Sequence, residues 1–84
     1  MQYVNLGKTG LKVSRLCLGM MSYGLKTWRE WVLEEKEAEP FVKRALDAGI
    51  NFYDTADVYS LGESEKVLGN IMKRLGVKRE SIVV

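Results

Sequence analysis

The order of hydrophobic periodicities along these 84 residues predicts an α/β protein built on parallel strands. Three observations carry that class. Short apolar runs suited to strands alternate with two stretches whose apolar residues recur at helical spacing. Each helical stretch ends on a glycine, Gly49 or Gly76. Each is then followed by a further strand-like run, Ile50–Asp54 or Ser81–Val84. Strand, single helix and strand in that order imply right-handed βαβ units.

The elements follow in sequence. Residues 2–16 hold two β-capable runs around Gly7-Lys8-Thr9-Gly10, where two glycines suit a tight reversal, so a β-hairpin opens the chain. The second run continues through Leu16-Cys17-Leu18-Gly19, whose unbroken apolar character predicts a strand over 16–19 buried on both faces. It stops at Gly19-Met20-Met21-Ser22-Tyr23-Gly24. Residues 25–34 carry Trp28 and Trp31 with no clean period, a loop with large apolar anchors or a short irregular helix. A helix over about 36–48 follows from the stripe Ala38, Phe41, Val42, Ala45 and Leu46. Pro40 puts its start only shortly before that residue, because proline is tolerated in a first turn and not deeper. Residues 50–54 form the next strand and 55–62 a loop.

A second helix over about 64–75 has Val67, Leu68, Ile71, Met72 and Leu75 as its apolar stripe. Glu63 and Glu65 at its start and Lys73 and Arg74 at its end suit the helix dipole. Residues 81–84 open a third strand that the chain cuts off, which reads as a fragment. Two architectures fit this order: a doubly wound open sheet, or the N-terminal part of a (β/α)8 TIM barrel, which runs to about 250 residues when whole.

Composition narrows the function classes. A hydrophobic fraction of 46% with 29% charged residues fits a soluble globular domain, not a disordered tail. A chain this short buries only roughly 60–65% of its unfolded surface, too little for a full-sized enzyme core. The net charge of +2 is too small to argue for nucleic acid. Without histidine, zinc sites and imidazole acid–base chemistry lose their commonest group. The lone Cys17 has no internal disulfide partner, and its apolar surroundings predict a small buried side chain. No run approaches the ~20 apolar residues of a membrane span, and the first residues lack a signal peptide's pattern. A cytoplasmic protein with no membrane insertion is expected.

Parallel sheets carry their chemistry at the carboxyl ends of the strands. That rule selects two loops, 19–24 and 54–62. Asp54 ends its strand on the same face as Phe52 and Ile50, so its carboxylate tops an apolar column and needs a partner. The plain alternative is a turn aspartate accepting backbone N–H bonds. Tyr59 follows five residues later. A phenol aimed at the strand end acts as a general acid when a cation lies nearby; otherwise it is a half-buried loop tyrosine. Asp57 reads as a solvated loop residue, and Glu63 and Glu65 as helix-start residues. There is no GxGxxG and no GxxxxGK[ST], which counts against a Rossmann dinucleotide site and a P-loop. Trp28 and Trp31 either wall a pocket or anchor their loop.

At this point the segments become familiar. Tyr3–Ser14 (YVNLGKTGLKVS) resembles the opening hairpin of the aldo-keto reductases, which covers the bottom of their barrel. Leu18–Gly24 (LGMMSYG) resembles the end of their first barrel strand. Ala45–Gly69 (ALDAGINFYDTADVYSLGESEKVLG) is similar to their signature across strand two into helix two. The style is closest to bacterial members and the β-subunits of potassium channels; Asn51, where many signatures have arginine, fits that branch.

The resemblance implies a (β/α)8 barrel and NADPH-dependent reduction of small carbonyl substrates. Carried over by position, Asp54 and Tyr59 fall on two of the four catalytic groups. Tyr59 would protonate the carbonyl oxygen, and Asp54 would orient and charge-balance a lysine beside the phenol. Gly19, Met20 and Met21, with Asp54, would line the nicotinamide-ribose end of the cofactor, and Trp28 the substrate pocket. No metal is implied. The catalytic lysine belongs at the end of strand three, and neither Lys73 nor Lys78 stands at a strand end. The catalytic histidine is also missing, so the chain alone is expected to be inactive. The alternative reading is a non-catalytic half-domain, or a segment of a redox-sensing channel-modulating subunit. An uncovered sheet edge is expected to make the isolated chain self-associate.

Overall fold

A computed structural model of the chain describes residues 1–84. Its centre is a parallel sheet in which β3 (Leu18–Gly19) lies beside β4 (Tyr53–Asp54), with Leu18 opposite Tyr53 and Gly19 opposite Asp54. The Leu18 N–H donates to the Phe52 carbonyl at 2.9 Å and the Met20 N–H to the Asp54 carbonyl at 2.8 Å. On the other side of β4 the Tyr53 N–H donates to Val83 at 2.9 Å, and the Val83 N–H donates to Asn51 at 2.7 Å. Spatial order therefore follows chain order, as in consecutive staves of a barrel wall.

The two connections are helices, α1 (Glu35–Asp47) and α2 (Glu63–Arg74). Both stop in the same way. Gly49 and Gly76 adopt positive φ of 92° and 70°, which costs glycine nothing. Ile50 N–H then reaches back to the Ala45 carbonyl at 3.0 Å, and Val77 N–H to Met72 at 2.9 Å. These are Schellman caps, and they turn the chain straight into the next strand. The helices pack on one face of the sheet, where Val42, Ile71, Leu68 and Met72 meet Met20 and Tyr53 in the core. On their outer sides Arg74 bonds both Glu35 (2.9 Å) and Glu39 (2.5 Å), tying α2 to α1 at the surface.

The hairpin, β1 (Tyr3–Asn5) and β2 (Lys12–Ser14), is antiparallel with Val4 opposite Val13. Asn51 fastens it to the amino end of the sheet. Its Oδ1 accepts the Ser14 N–H at 2.7 Å, its Nδ2 donates to the Lys12 carbonyl at 3.3 Å, and its own N–H donates to Ser14 Oγ at 3.2 Å. Tyr3 Oη adds a bond to the Gly49 carbonyl at 2.6 Å. The hairpin thus closes the end of the sheet opposite Asp54.

Several details depart from the sequence expectation. The run 16–19 is not buried on both faces: Cys17 is exposed on the face the helices leave uncovered, and Leu16 is exposed in a bend before the paired segment begins at Leu18. Phe41 also stands outside the core, its ring 6.2 Å from that of Tyr23, so the buried stripe of α1 narrows to Ala38, Val42 and Ala45. That helix begins at Glu35, which makes Pro40 its sixth residue. Lys36 and Pro40 are both exposed, so water can take the carbonyl that the missing proline N–H leaves free. The third strand is regular only at Val83, since a 3-10 turn occupies Arg79–Ser81.

Candidate functional site at the carboxyl edge

Residue alternation decides what each strand offers. In β3 and the residue after it, Leu18 and Met20 face the helices, while Cys17 and Gly19 face the uncovered side. In β4, Tyr53 is buried under the helices and Asp54 is exposed on the open side, directly beside Gly19. Asp54 therefore tops no buried column; with one face of the sheet uncovered, its carboxylate stands in solvent. Its charge is felt by Cys17: partial desolvation pushes that thiol up, and the Asp54 carboxylate pushes it further. Tyr53 is the structural tyrosine of the strand. Its hydroxyl donates to the Ile50 carbonyl at 2.8 Å, and burial, aided by Cys17, pushes it up to about 12.

The loop after β3 folds back on itself. The Gly24 N–H donates to Leu33 and the Leu33 N–H to Ser22, both at 2.8 Å, pinching residues 24–33 into a closed excursion. Val32 plugs it, fully buried. Trp28 stands within it, half-buried, with its ring centroid 6.3 Å from Tyr59 and 6.3 Å from Trp31. The Arg29 guanidinium lies 4.7 Å above the Trp28 ring, a cation–π contact. Trp31 is exposed.

The loop after β4 is more ordered than its composition suggests. Residues Tyr59–Gly62 form a 3-10 turn in which Ser60 (φ 50°, ψ 35°) and Leu61 (φ 56°, ψ 37°) are both left-handed. Side chains other than glycine pay about 1–3 kcal/mol each for such a conformation. Ser60 is fully buried, and its Oγ accepts the Leu25 N–H at 2.9 Å. One helical turn on, Ser64 is also fully buried and donates from Oγ to the Met20 carbonyl at 2.8 Å. Its only hydrogen is then used, so Thr55 Oγ1, 3.3 Å away, donates to it. Two serines thus stitch the loop after β4 to the loop after β3.

The residues singled out from sequence fall into two groups. Gly19 and Asp54 pair at the exposed edge and Met21, two residues on from Gly19, is exposed; Tyr59 and Trp28 pack against each other. Met20 does not join them: its side chain is fully buried in the core, and its N–H and carbonyl are taken by Asp54 and Ser64. Alternation explains this, since Met20 is one residue past Gly19 and so faces the helices. Lys73 and Lys78 are exposed, on the last turn of α2 and just before the final 3-10 turn. Sequence reasoning missed Ser60 and Ser64. Their partners are backbone groups 35 and 44 residues away, so no local pattern marks them.

The aldo/keto reductase family model matches residues 15–84, from the strand before this edge to the last residue. The chain belongs to the aldo/keto reductase family. It is 44% identical over 84 residues to a versiconal hemiacetal acetate reductase of Aspergillus parasiticus, covering 100% of this chain and 24% of that one. It is also 44% identical over 82 residues to an aldo-keto reductase of Metarhizium robertsii, covering 98% and 22%. Among solved structures, a thermostable aldo-keto reductase in complex with the inhibitor epalrestat superposes with a TM-score of 0.76 at 27% identity, over 98% of this chain and 29% of that one. The chain therefore spans about a quarter of the length of these curated relatives. Its two βα units and hairpin are part of an aldo-keto reductase TIM barrel.

Proposed function

We propose that the chain supplies the carboxylate and the proton donor of an NADPH-dependent oxidoreductase that reduces aldehydes and ketones to alcohols. The observation that carries this reading is the parallel pairing of Gly19 with Asp54, which brings a bare backbone and a carboxylate to one exposed edge. Nothing lies within 4 Å of where a Cβ on Gly19 would stand, so a flat ring has room to approach the backbone there. Gly19, Met21 and Asp54 would hold the nicotinamide-ribose end of the cofactor. The cofactor, when bound, supplies a hydride to the carbonyl carbon.

The remaining work falls to the protein. Tyr59 donates the proton of its Oη to the carbonyl oxygen. Asp54 holds and charge-balances a lysine beside that phenol. Trp28, already packed on the Tyr59 ring, walls the side on which the substrate enters. The chain holds two of the four groups, so we propose that it is inactive alone. A cytoplasmic place of action belongs to the same reading; no helix is long and apolar enough to cross a membrane.

The test is a chimera in which residues 1–84 replace the matching segment of the thermostable relative. NADPH oxidation is followed with a panel of aldehydes. Asp54→Asn and Tyr59→Phe are each expected to lower turnover by roughly 100-fold or more, the usual scale for a lost acid–base group. An active chimera that tolerates Tyr59→Phe would refute the assignment.

A further inference from the structure

We infer that Ser60 is a positioning residue: its buried hydroxyl clasps the loop after β3 and thereby holds the Trp28 ring against Tyr59. The inference rests on Tyr59 being the proton donor. Its own support is a chain of contacts two residues wide. Ser60 directly follows Tyr59 and is fully buried. Its Oγ accepts the Leu25 N–H at 2.9 Å, while the Leu25 carbonyl accepts the Trp28 N–H at 3.1 Å. Leu25 therefore links the serine hydroxyl to the turn that carries Trp28, and Trp28 closes the circuit by packing 6.3 Å from the Tyr59 ring.

Two further features fit a clasp and not a casual contact. A Cβ on Gly24 would stand 2.2 Å from Ser60 Oγ, so the preceding loop residue leaves the space that the hydroxyl fills. Ser60 and Leu61 are also held left-handed without being glycine, although Leu61 is 75% exposed and gains little packing in return. Strain of this kind persists where surrounding contacts over-determine it. Here the surrounding contact is the Ser60–Leu25 bond. A general acid works only within hydrogen-bond reach of the oxygen it protonates, so a fixed phenol ring has direct value for the reaction.

The first measurement is made by NMR on the same chimera, selectively labelled at tryptophan, tyrosine and isoleucine, reading NOE cross-peaks between the Trp28 indole and the Tyr59 ring. Ser60→Ala keeps the left-handed strain and removes the hydroxyl; Ser60→Gly removes both. Both variants are expected to lose these cross-peaks while the amide shifts of Ile71 and other core residues stay in place. The second measurement is steady-state kinetics in the chimera. Both variants are expected to lower kcat roughly 10- to 100-fold, as for a displaced catalytic group, and to raise KM because Trp28 walls the substrate side.

If Ser60 mattered only through backbone strain, Ser60→Gly would behave like the wild type or better. That result overturns the inference, as do cross-peaks retained in both variants, or cross-peaks lost with kcat unchanged. Full turnover by Tyr59→Phe overturns it through the reading beneath it. The cross-peaks distinguish that failure from a failure of the clasp.

Discussion

Leu61→Gly should make this protein more stable, although it removes a leucine. Leu61 sits at φ 56°, ψ 37° and is 75% exposed. A bulky residue held left-handed costs about 1–3 kcal/mol, which glycine does not pay. Against that stand two losses. Only a quarter of the side chain is out of water, so from the roughly 1.5–3 kcal/mol of a fully buried leucine about 0.5 kcal/mol is forfeited. Glycine also loosens the unfolded chain, at about 0.5–1 kcal/mol. Taking the middle of each range, the net gain is about 0.5–1 kcal/mol, or a Tm rise of roughly 2–8 °C for a domain of this size.

Leu61→Ala is the control, because alanine keeps the left-handed cost and also loses the buried quarter. It is expected to be slightly destabilised, leaving glycine ahead of alanine by about 1 kcal/mol. Thermal and urea melts followed by far-UV circular dichroism read both variants. Glycine no more stable than alanine would refute the reasoning, since the segment would then carry no strain to relieve. It would also remove the strain argument from the Ser60 clasp.

Other consequences follow from the same contacts. Asn51→Ala strips the buried Ser14 N–H of its 2.7 Å acceptor and removes two of the four bonds named above that tie the hairpin to the sheet. A loss of about 2 kcal/mol is expected, with hydrogen exchange at the Ser14 amide sharply faster; unchanged protection there contradicts the role. Tyr53, pushed up to about 12 by burial, should ionise well above the ordinary tyrosine range in an ultraviolet titration. Its folded value lies above the ordinary one, so its contribution to stability is complete below about pH 10 and is lost as the pH rises toward 12. Tyr53→Phe should delete that high-pH phase, and a titration that keeps it shows the assignment to be wrong. One face of the sheet is uncovered, and the apolar side chains of Leu16 and Val84 stand 59% and 50% exposed near the ends of its strands, which should make the isolated chain associate. A clean monomer by light scattering at tens of micromolar would argue against it.

What could be read from the sequence was whatever depends on period and on glycine. The helical stripes and the two capping glycines require nothing beyond neighbours three or four residues away, and the caps form at Gly49 and Gly76 through local bonds alone. Burial of Cys17 was misread because an unbroken apolar run signals two covered faces, whereas the helices of this chain cover one. Met20 was expected at the edge with Gly19, but its side chain lies in the core, since proximity in sequence says nothing of which face a residue takes until a register fixes it. The Ser60 and Ser64 stitches were hidden because their partners are backbone groups 35 and 44 residues away, which no spacing rule connects. That difference bears on the site itself. Asp54 and Tyr59 are exposed or half-buried groups on short loops, and they could be named from position and resemblance. The serines that stitch these loops together are small, buried and bonded to main chain, so composition makes them look ordinary. On the reading proposed above, the reacting side chains can be named from sequence, whereas the serines that would fix them acquire meaning only when the two loops meet.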